Sequence, residues 1–135
     1  MPDLLFEVCV DTLEGLLAAD RAGVERIELC SALSLGGLTP SLGLIRCAAR
    51  IDRPVRVMIR PRSGTFIFSK DELEECCQDI AAVRAAGLDG VVLGAATAEG
   101  RLDLAALSRL REAAGPMGAT LHRVVDTLTD PVAAV

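Results

Sequence analysis

The segment VERIELCSALSLGGLTPSLG, residues 24–43, decides the fold of this chain. It opens with apolar side chains at Ile27 and Leu29, and the positions around them are Arg26, Glu28 and Cys30. This alternation predicts a β-strand with one apolar face and one polar face. A half-acidic face cannot pack against a helix, but it can point into a shared polar interior while helices cover the apolar face. That is the environment of a strand in a (β/α) barrel.

The second part of the segment predicts a loop followed by a helix. Gly36 and Gly37 mark the loop, and Thr39 is predicted as the N-cap of a helix whose first position is Pro40. The glycine pair could present backbone N–H groups to an anion. Turn geometry alone also explains such a pair.

Composition restricts the classes of function. The 135 residues are 51% hydrophobic and only 2% aromatic, so the predicted core is aliphatic. A net charge of -5 and the few aromatic rings argue against a nucleic-acid-binding surface. Neither a membrane span nor a signal peptide is predicted. The five cysteines lack a disulfide-framework spacing, and we predict a cytoplasmic protein.

Strands and helices alternate along the rest of the chain. Further strands are predicted over residues 4–10, 54–60, 90–94 and 119–123. Asp11 is predicted to cap the first helix, with Glu14 as its capping-box partner. The buried stripe of that helix is predicted to be Leu13, Leu16 and Leu17.

The later helices carry their own signals. Ser69 and Glu72 predict a capping box at the start of one helix. Three leucines at helical spacing, Leu104, Leu107 and Leu110, predict the next helix, and residues 130–131 are predicted to open a fifth. Alternating strands and helices indicate parallel βαβ units.

The number of strands leaves two α/β architectures. A closed barrel needs eight strands and about 250 residues, whereas an open doubly wound sheet would accommodate five. The strands of such an open sheet are largely apolar, and three strands here carry charge on one face. We therefore predict a (β/α)8 TIM-barrel fold, with residues 1–135 as a single domain that forms its N-terminal half, roughly four and a half βα units.

Four stretches resemble the motifs of the CutC copper-homeostasis family in their order, their spacing and the identity of their residues. They are FEVCVDT, RIELCSALSLGGLTPSLG, VMIRPRSGTF and LHRVVDTLTDP. The resemblance covers essentially the whole chain but only about the first half of the family's usual length. It implies a (β/α)8 barrel, a cytoplasmic setting, self-association into a homo-oligomer and a role in intracellular copper handling. It also implies that Cys9 and Cys30 bind Cu(I).

The two cysteines indicate a metal site by their own positions as well. Glu-Val-Cys at residues 7–9 and Glu-Leu-Cys at residues 28–30 repeat one pattern at two strand ends. Paired in register, neighbouring strands about 4.8 Å apart would bring the sulfurs within bridging distance. Two thiolates suit Cu(I) in linear geometry, and Met58 could offer a thioether to the same interior. The alternatives are small hydrophobic core residues or a disulfide switch.

Charged side chains collect at the predicted carboxyl ends of the strands, where barrel active sites are built. They are Glu7, Glu28, Arg60, Arg62, His122 and Arg123. One interpretation is an anion site in which the arginines bind a phosphate or carboxylate group. The other is a layer of structural ion pairs inside the barrel.

The candidates for catalysis are His122, Glu28 and Asp126. His122, the only histidine, is predicted to point inward and could act as acid, base or metal ligand. Asp126 could orient its ring. Strand alternation leaves Arg123 to bind an anion from the rim.

Three hypotheses of function follow. The first is a cytoplasmic CutC-like protein that binds or traffics Cu(I) through Cys9 and Cys30. The second is a barrel enzyme acting on a small anionic metabolite, with Arg60, Arg62 and His122 in its site. The third is an incomplete barrel without activity of its own, whose exposed sheet edges drive association. Whether the chain is an enzyme stays open.

Overall fold

The computed structural model describes residues 3–135. Within them the chain forms five strands: β1 (Glu7–Val10), β2 (Arg26–Leu29), β3 (Val55–Met58), β4 (Gly90–Leu93) and β5 (Gly118–Leu121). The helices that alternate with them are α1 (Leu13–Ala22), α2 (Leu42–Ala48), α3 (Lys70–Ala85) and α4 (Leu104–Ala114). Short 3-10 turns cover Leu33–Leu35 and Arg123–Thr127. In this part of the chain no helix combines the length and the apolar character that crossing a bilayer requires.

The strands lie side by side in their sequence order, β1-β2-β3-β4-β5, and every neighbouring pair is parallel. A doubly wound sheet would reverse its strand order at a switch point. A steady progression, with a helix between each strand and the next, is instead the arrangement of a (β/α) barrel. The prediction of a partial TIM barrel is therefore confirmed.

The outward face of the sheet packs against the helices and holds the main hydrophobic core. Ile27 and Leu29 of β2 are fully buried there, as is Val57 of β3. The helices contribute Leu16, Ile80, Val83 and Leu110. Burial of each large side chain stabilises the fold by about 1.5–3 kcal/mol.

The inward face of the sheet differs in character. Cys30, Met58 and Val92 form a small buried cluster on it, and charged side chains lie around them. All four residues of β4 are buried, as its continuous apolar sequence predicts for a strand covered on both faces.

The helix α1 begins one residue later than predicted. Its N-cap is Thr12, whose hydroxyl accepts the N–H of Gly15 at 3.0 Å. Asp11 instead accepts the N–H of Leu33 at 3.0 Å and so fastens the loop after β2. The prediction that Asp11 caps α1 is wrong because a residue distant in sequence competes for its carboxylate.

The start of α2 is displaced for the same kind of reason. Ser41 is the N-cap and accepts the N–H of Leu44 at 3.2 Å. The Thr39 hydroxyl accepts the N–H of Arg60 at 2.9 Å and donates to its carbonyl oxygen at 3.1 Å. Thr39 therefore joins the loop after β2 to the end of β3, and its predicted role as N-cap is wrong.

The predicted buried stripe of α1 is narrower than expected. Leu16 is fully buried, but Leu13 is 46% exposed and Leu17 is 40% exposed. The helix follows β1, which is the edge strand of the sheet, so fewer elements pack against it.

The other predicted boundaries give a mixed result. The capping box of Ser69 and Glu72 at the start of α3 is confirmed. Residues 4–6 are exposed and precede β1 rather than belonging to it. Asp130 accepts the N–H of Ala133 at 3.0 Å, as the N-cap of the predicted fifth helix would, and residues 131–134 form a turn.

Candidate functional site

Two cysteine sulfurs face each other across β1 and β2. Sγ of Cys9 lies 3.6 Å from Sγ of Cys30. Cys30 is buried whereas Cys9 is exposed, so the pair is reached from one side. Glu28 Oε1 accepts from the Cys30 thiol at 3.7 Å. The donor atoms of the three residues all lie within 4.8 Å of one another, which is compact enough to hold a single metal ion.

The strands bring these sulfurs together by a different register from the one predicted. Cys9 pairs with Glu28 and Glu7 pairs with Arg26, so the repeated Glu-x-Cys patterns are offset by two residues. The assumption that the patterns align in register is wrong. Strands in a barrel are tilted and staggered, and the side chains close the gap that the offset leaves between Cys9 and Cys30.

The environment separates the two thiols chemically. The hydrogen bond between the two thiols lowers the pKa of Cys9. The same interaction, followed by burial, raises the pKa of Cys30 well above its ordinary value. Cys9 is therefore the thiol that loses its proton first, and it is also the exposed one.

A glycine loop covers the buried side of the sulfur pair. Gly37 has a φ of 90°, a conformation that favours glycine. A Cβ at this position would lie 3.2 Å from Sγ of Cys30 and 3.5 Å from Cε of Met58. Gly37 thus lets the loop lie directly over Cys30 and Met58, whose side chains belong to one buried cluster.

A second group lies at the carboxyl end of β3, where Arg60 is only 5% exposed. Its guanidinium donates to the carbonyl oxygens of Leu35 at 2.9 Å, Gly37 at 3.3 Å and Gly64 at 2.9 Å. The Arg60 Cζ lies 4.7 Å from the ring centroid of Phe66. Within residues 3–135 no carboxylate pairs with this buried cation.

Arg123 joins Arg60 at the loop after β2. A Cβ added to Gly36 would lie 3.0 Å from Nη1 of Arg123 and 3.1 Å from Nη1 of Arg60. The two guanidiniums therefore meet at one glycine. Burial lowers the pKa of Arg60, and the charges of Arg123 and Arg62 lower it further. The exposed Arg123 side chain forms no ion pair within the described part of the chain.

Arg62 does not belong to this group. Its guanidinium binds the carboxylate of Glu72 and donates to the carbonyl oxygens of Thr65 at 2.9 Å and Ile67 at 2.8 Å. Arg62 therefore ties the loop after β3 to the start of α3. The structure brings Arg60 together with Arg123 and not with Arg62.

His122 follows β5 and is buried, as its predicted inward position requires. Its Nδ1 accepts the backbone N–H of Val124 at 3.0 Å, which places the proton of the neutral ring on Nε2. The ring centroid lies 5.0 Å from that of Phe66. The ring also lies against Gly94, where a Cβ would come within 2.1 Å of Cε1.

The three candidates for catalysis lie in separate surroundings. Glu28 is part of the sulfur group, and His122 contacts Phe66 and Gly94. Asp126 is exposed on the 3-10 turn after β5. It does not orient His122 by a hydrogen bond, because the Val124 N–H occupies Nδ1 and Nε2 has no partner within the described residues.

Comparison with known proteins identifies the family. The family model described as CutC matches residues 4–135, nearly the whole chain. The chain belongs to the CutC family. The resemblance found in the four sequence motifs is thereby confirmed.

Curated CutC relatives are about 50% identical to this chain over the aligned residues. A family protein CutC of Agrobacterium fabrum is 54% identical over 127 residues, which are 94% of this chain and 51% of that protein. A family protein CutC of Photobacterium profundum is 49% identical over 130 residues, 96% of this chain and 53% of that protein. The chain therefore spans about half the length of the curated relatives it matches.

A solved CutC structure shares the fold. The crystal structure of a protein named as a copper homeostasis protein, CutC of Streptococcus agalactiae, superposes with a TM-score of 0.87 at 34% identity. The match covers 93% of this chain and 62% of that one. It agrees with the partial TIM barrel derived from the strand order.

In this CutC-family chain, two ion pairs lie near the amino ends of the strands, away from the sulfur pair and from Arg60. Arg26 pairs with Glu7, and Arg56 contacts Asp89 at 3.2 Å and Thr120 Oγ1 at 2.7 Å. Of the residues predicted to form an ion-pair layer, Glu7 pairs with Arg26 and Arg62 pairs with Glu72, whereas Glu28, Arg60 and Arg123 form no ion pair within the described residues.

Glu28 stands apart from that layer. It forms no ion pair within the described residues. Burial raises its pKa, and the charge of Glu7 raises it further. Its carboxylate instead accepts from the Cys30 thiol, so Glu28 belongs to the sulfur group.

Two residues of the CutC site were not predicted. Phe66 contacts both Arg60 and His122; its signal is that it is one of three phenylalanines and closes a charged loop. Gly94 leaves room for the His122 ring. Its signal is that it directly follows β4, two residues after the inward-facing Val92, so strand alternation places it on the inward side.

His122 should make the stability of this CutC chain sensitive to acid. Burial, together with Arg60 and Arg123, lowers its pKa to about 4. The unfolded chain, with a histidine pKa near 6.5, takes up a proton that the folded chain excludes. Stability should therefore fall as the pH drops from about 6.5 to about 4. Urea unfolding measured across this range should show a smaller loss for His122→Gln, and equal losses in both chains would contradict the neutral buried ring.

Proposed function

We propose that this chain takes part in copper homeostasis by binding Cu(I) between the thiolates of Cys9 and Cys30. The observation that carries the proposal is the sulfur–sulfur separation of 3.6 Å with one sulfur exposed and the other buried. The Streptococcus agalactiae relative named as a copper homeostasis protein supports the same role. Copper is the cargo of the site rather than part of an active centre.

The donor set favours Cu(I) over other metals. Soft thiolate and thioether ligands select Cu(I), whereas structural zinc takes four protein ligands in a closed tetrahedron. Here the compact group offers two sulfurs and one carboxylate. Met58 can add a thioether, because its methyl carbon and Sγ of Cys30 meet at the same glycine.

The sulfur separation argues for a bent arrangement. With metal–thiolate bonds of about 2.3 Å, a linear unit would separate the sulfurs by about 4.6 Å. The observed 3.6 Å is shorter and leaves one side of the ion open to a third ligand. Met58 is the softer candidate and Glu28 the harder one, so we infer that Met58 completes the site.

The remaining aspects of the proposal concern the setting of the protein. All five cysteines are free thiols, which suits a reducing compartment such as the cytoplasm. Leu4, Leu5 and Phe6 beside the edge strand β1 are 73%, 52% and 62% exposed. An exposed apolar edge of this kind supports self-association into a homo-oligomer.

Anaerobic titration with Cu(I) tests the proposed function. The reduced chain should retain one Cu(I) in competition with a chromogenic Cu(I) chelator. A Cys47→Ser/Cys77→Ser variant is the matched control, because these partly buried cysteines lie on α2 and α3, and it should retain the same amount. Failure of the native chain to retain copper, or loss of copper in this control, would contradict the proposal.

A further inference from the structure

We propose that Arg60, Arg123 and His122 form a binding site for a small oxyanion, a phosphate or carboxylate group, at the carboxyl end of the sheet. This site is separate from the sulfur pair and extends beyond the proposed copper function. The strand ends of a parallel α/β barrel are where such ligands bind.

The charge balance is the first observation. Arg60 and Arg123 approach each other at Gly36, and neither forms an ion pair with a carboxylate within residues 3–135. Buried charges in proteins are normally paired. Arg60 is only 5% exposed and lies beside a second guanidinium. We therefore expect an anion that is not part of the described chain to balance the two charges.

Unpartnered donors are the second observation. Nε of Arg60 and Nε2 of His122 are shielded from solvent and have no hydrogen-bond partner in the described structure. Leaving buried N–H groups without an acceptor is unfavourable. Both atoms belong to side chains that contact Phe66, so the unpaired donors lie around one ring.

The types of donor define the chemistry of the ligand. The Nδ1 atom of His122 already accepts a backbone hydrogen bond, so the free nitrogen carries a proton and cannot bind a metal. Guanidinium and imidazole N–H groups together present only donors. A phosphate or carboxylate offers several acceptor oxygens in the geometry that guanidinium binds best.

Arg123 provides the route of entry. It is exposed, whereas Arg60 and His122 are buried. An oxyanion would meet Arg123 first, and reaching the shielded donors requires the atoms that cover them to move. Phe66 contacts both buried side chains, so a change of its rotamer would uncover them.

Calorimetric titration of the full chain with inorganic phosphate, and separately with acetate, tests this site. The variant is Arg123→Gln, since Arg123 is exposed and its loss should leave the fold intact. The matched control is Arg46→Gln, which removes the same positive charge at an exposed position of α2. At least one of the two anions should bind saturably to the native chain and the control, and about 10- to 100-fold more weakly to Arg123→Gln.

The outcomes separate this inference from the copper proposal. A Cys9→Ser/Cys30→Ser variant should bind the anion as the native chain does, even though its copper site is removed. Absence of saturable binding of both anions, or equal binding by Arg123→Gln and the native chain, would overturn the inference. Neither of those results would bear on Cu(I) binding by the cysteines.

Discussion

A chain in which both Cys9 and Cys30 are replaced by serine should lose its Cu(I) site. The two sulfurs are the only thiols in the compact donor group, and a serine hydroxyl is a poor ligand for a soft ion. Loss of an outer-shell partner already weakens metal binding about 10- to 100-fold. Removing both thiolates should weaken it by more than that, as measured by competition with a Cu(I) chelator.

Folding has to be monitored in this experiment because Cys30 is fully buried. Circular dichroism and thermal unfolding of the double variant establish whether the sheet survives. The single variant Cys9→Ser adds an independent test, since Cys9 is exposed and its replacement should not disturb the core. Undiminished Cu(I) affinity in Cys9→Ser and in a folded double variant would exclude the sulfur pair as the copper site.

Truncation of Leu16 to alanine should produce the largest loss of stability among alanine substitutions in α1. Leu16 is fully buried and belongs to the main core against the outward face of the sheet. Leucine-to-alanine changes in a core lower the free energy of unfolding by about 2–5 kcal/mol, because burial is lost and a cavity remains. Urea unfolding of the native and variant chains measures the difference.

The next residue provides the matched control. Leu17 is 40% exposed, so Leu17→Ala removes the same atoms from a partly solvated site. Its effect should stay below about 1 kcal/mol. Comparable losses for Leu16→Ala and Leu17→Ala would mean that α1 packs on the sheet with a different face.

The barrel architecture follows from patterns that act over short distances in the sequence. In β2 the alternation of Ile27 and Leu29 with charged neighbours specifies which face meets the helices. The continuous apolar run of β4 specifies burial on both faces. These patterns survive in the structure because the hydrophobic effect depends on which residues share a face and not on distant partners.

Helix boundaries could be predicted only where the capping partner is local. Ser69 and Glu72 satisfy each other within one turn, and their capping box is observed. Asp11 and Thr39 were also predicted as N-caps. Each side chain instead forms a hydrogen bond with a loop or a strand end far along the sequence. Such tertiary hydrogen bonds outweigh local cap preference, and one sequence does not show them.

The candidate site could be predicted as a set of residues but not as an arrangement. Cys9 and Cys30 come together although the predicted register is wrong, because either register keeps both side chains on the inward face. Arg62 was predicted to stand beside Arg60, yet Glu72 and the loop carbonyls hold it. Arg123 lies beside Arg60 instead, because the chain turns into a 3-10 helix after β5. Strand alternation does not predict that turn.

X-ray absorption spectroscopy of the copper-loaded chain tests the central claim most directly. The copper edge should be that of Cu(I), and the first shell should consist of sulfur, with two thiolates and the thioether of Met58. The sulfur contribution should disappear when a folded Cys9→Ser/Cys30→Ser variant is loaded in the same way. A first shell of nitrogen and oxygen in the native chain, or sulfur ligation that persists in the double variant, would contradict Cu(I) binding by the facing sulfurs of β1 and β2.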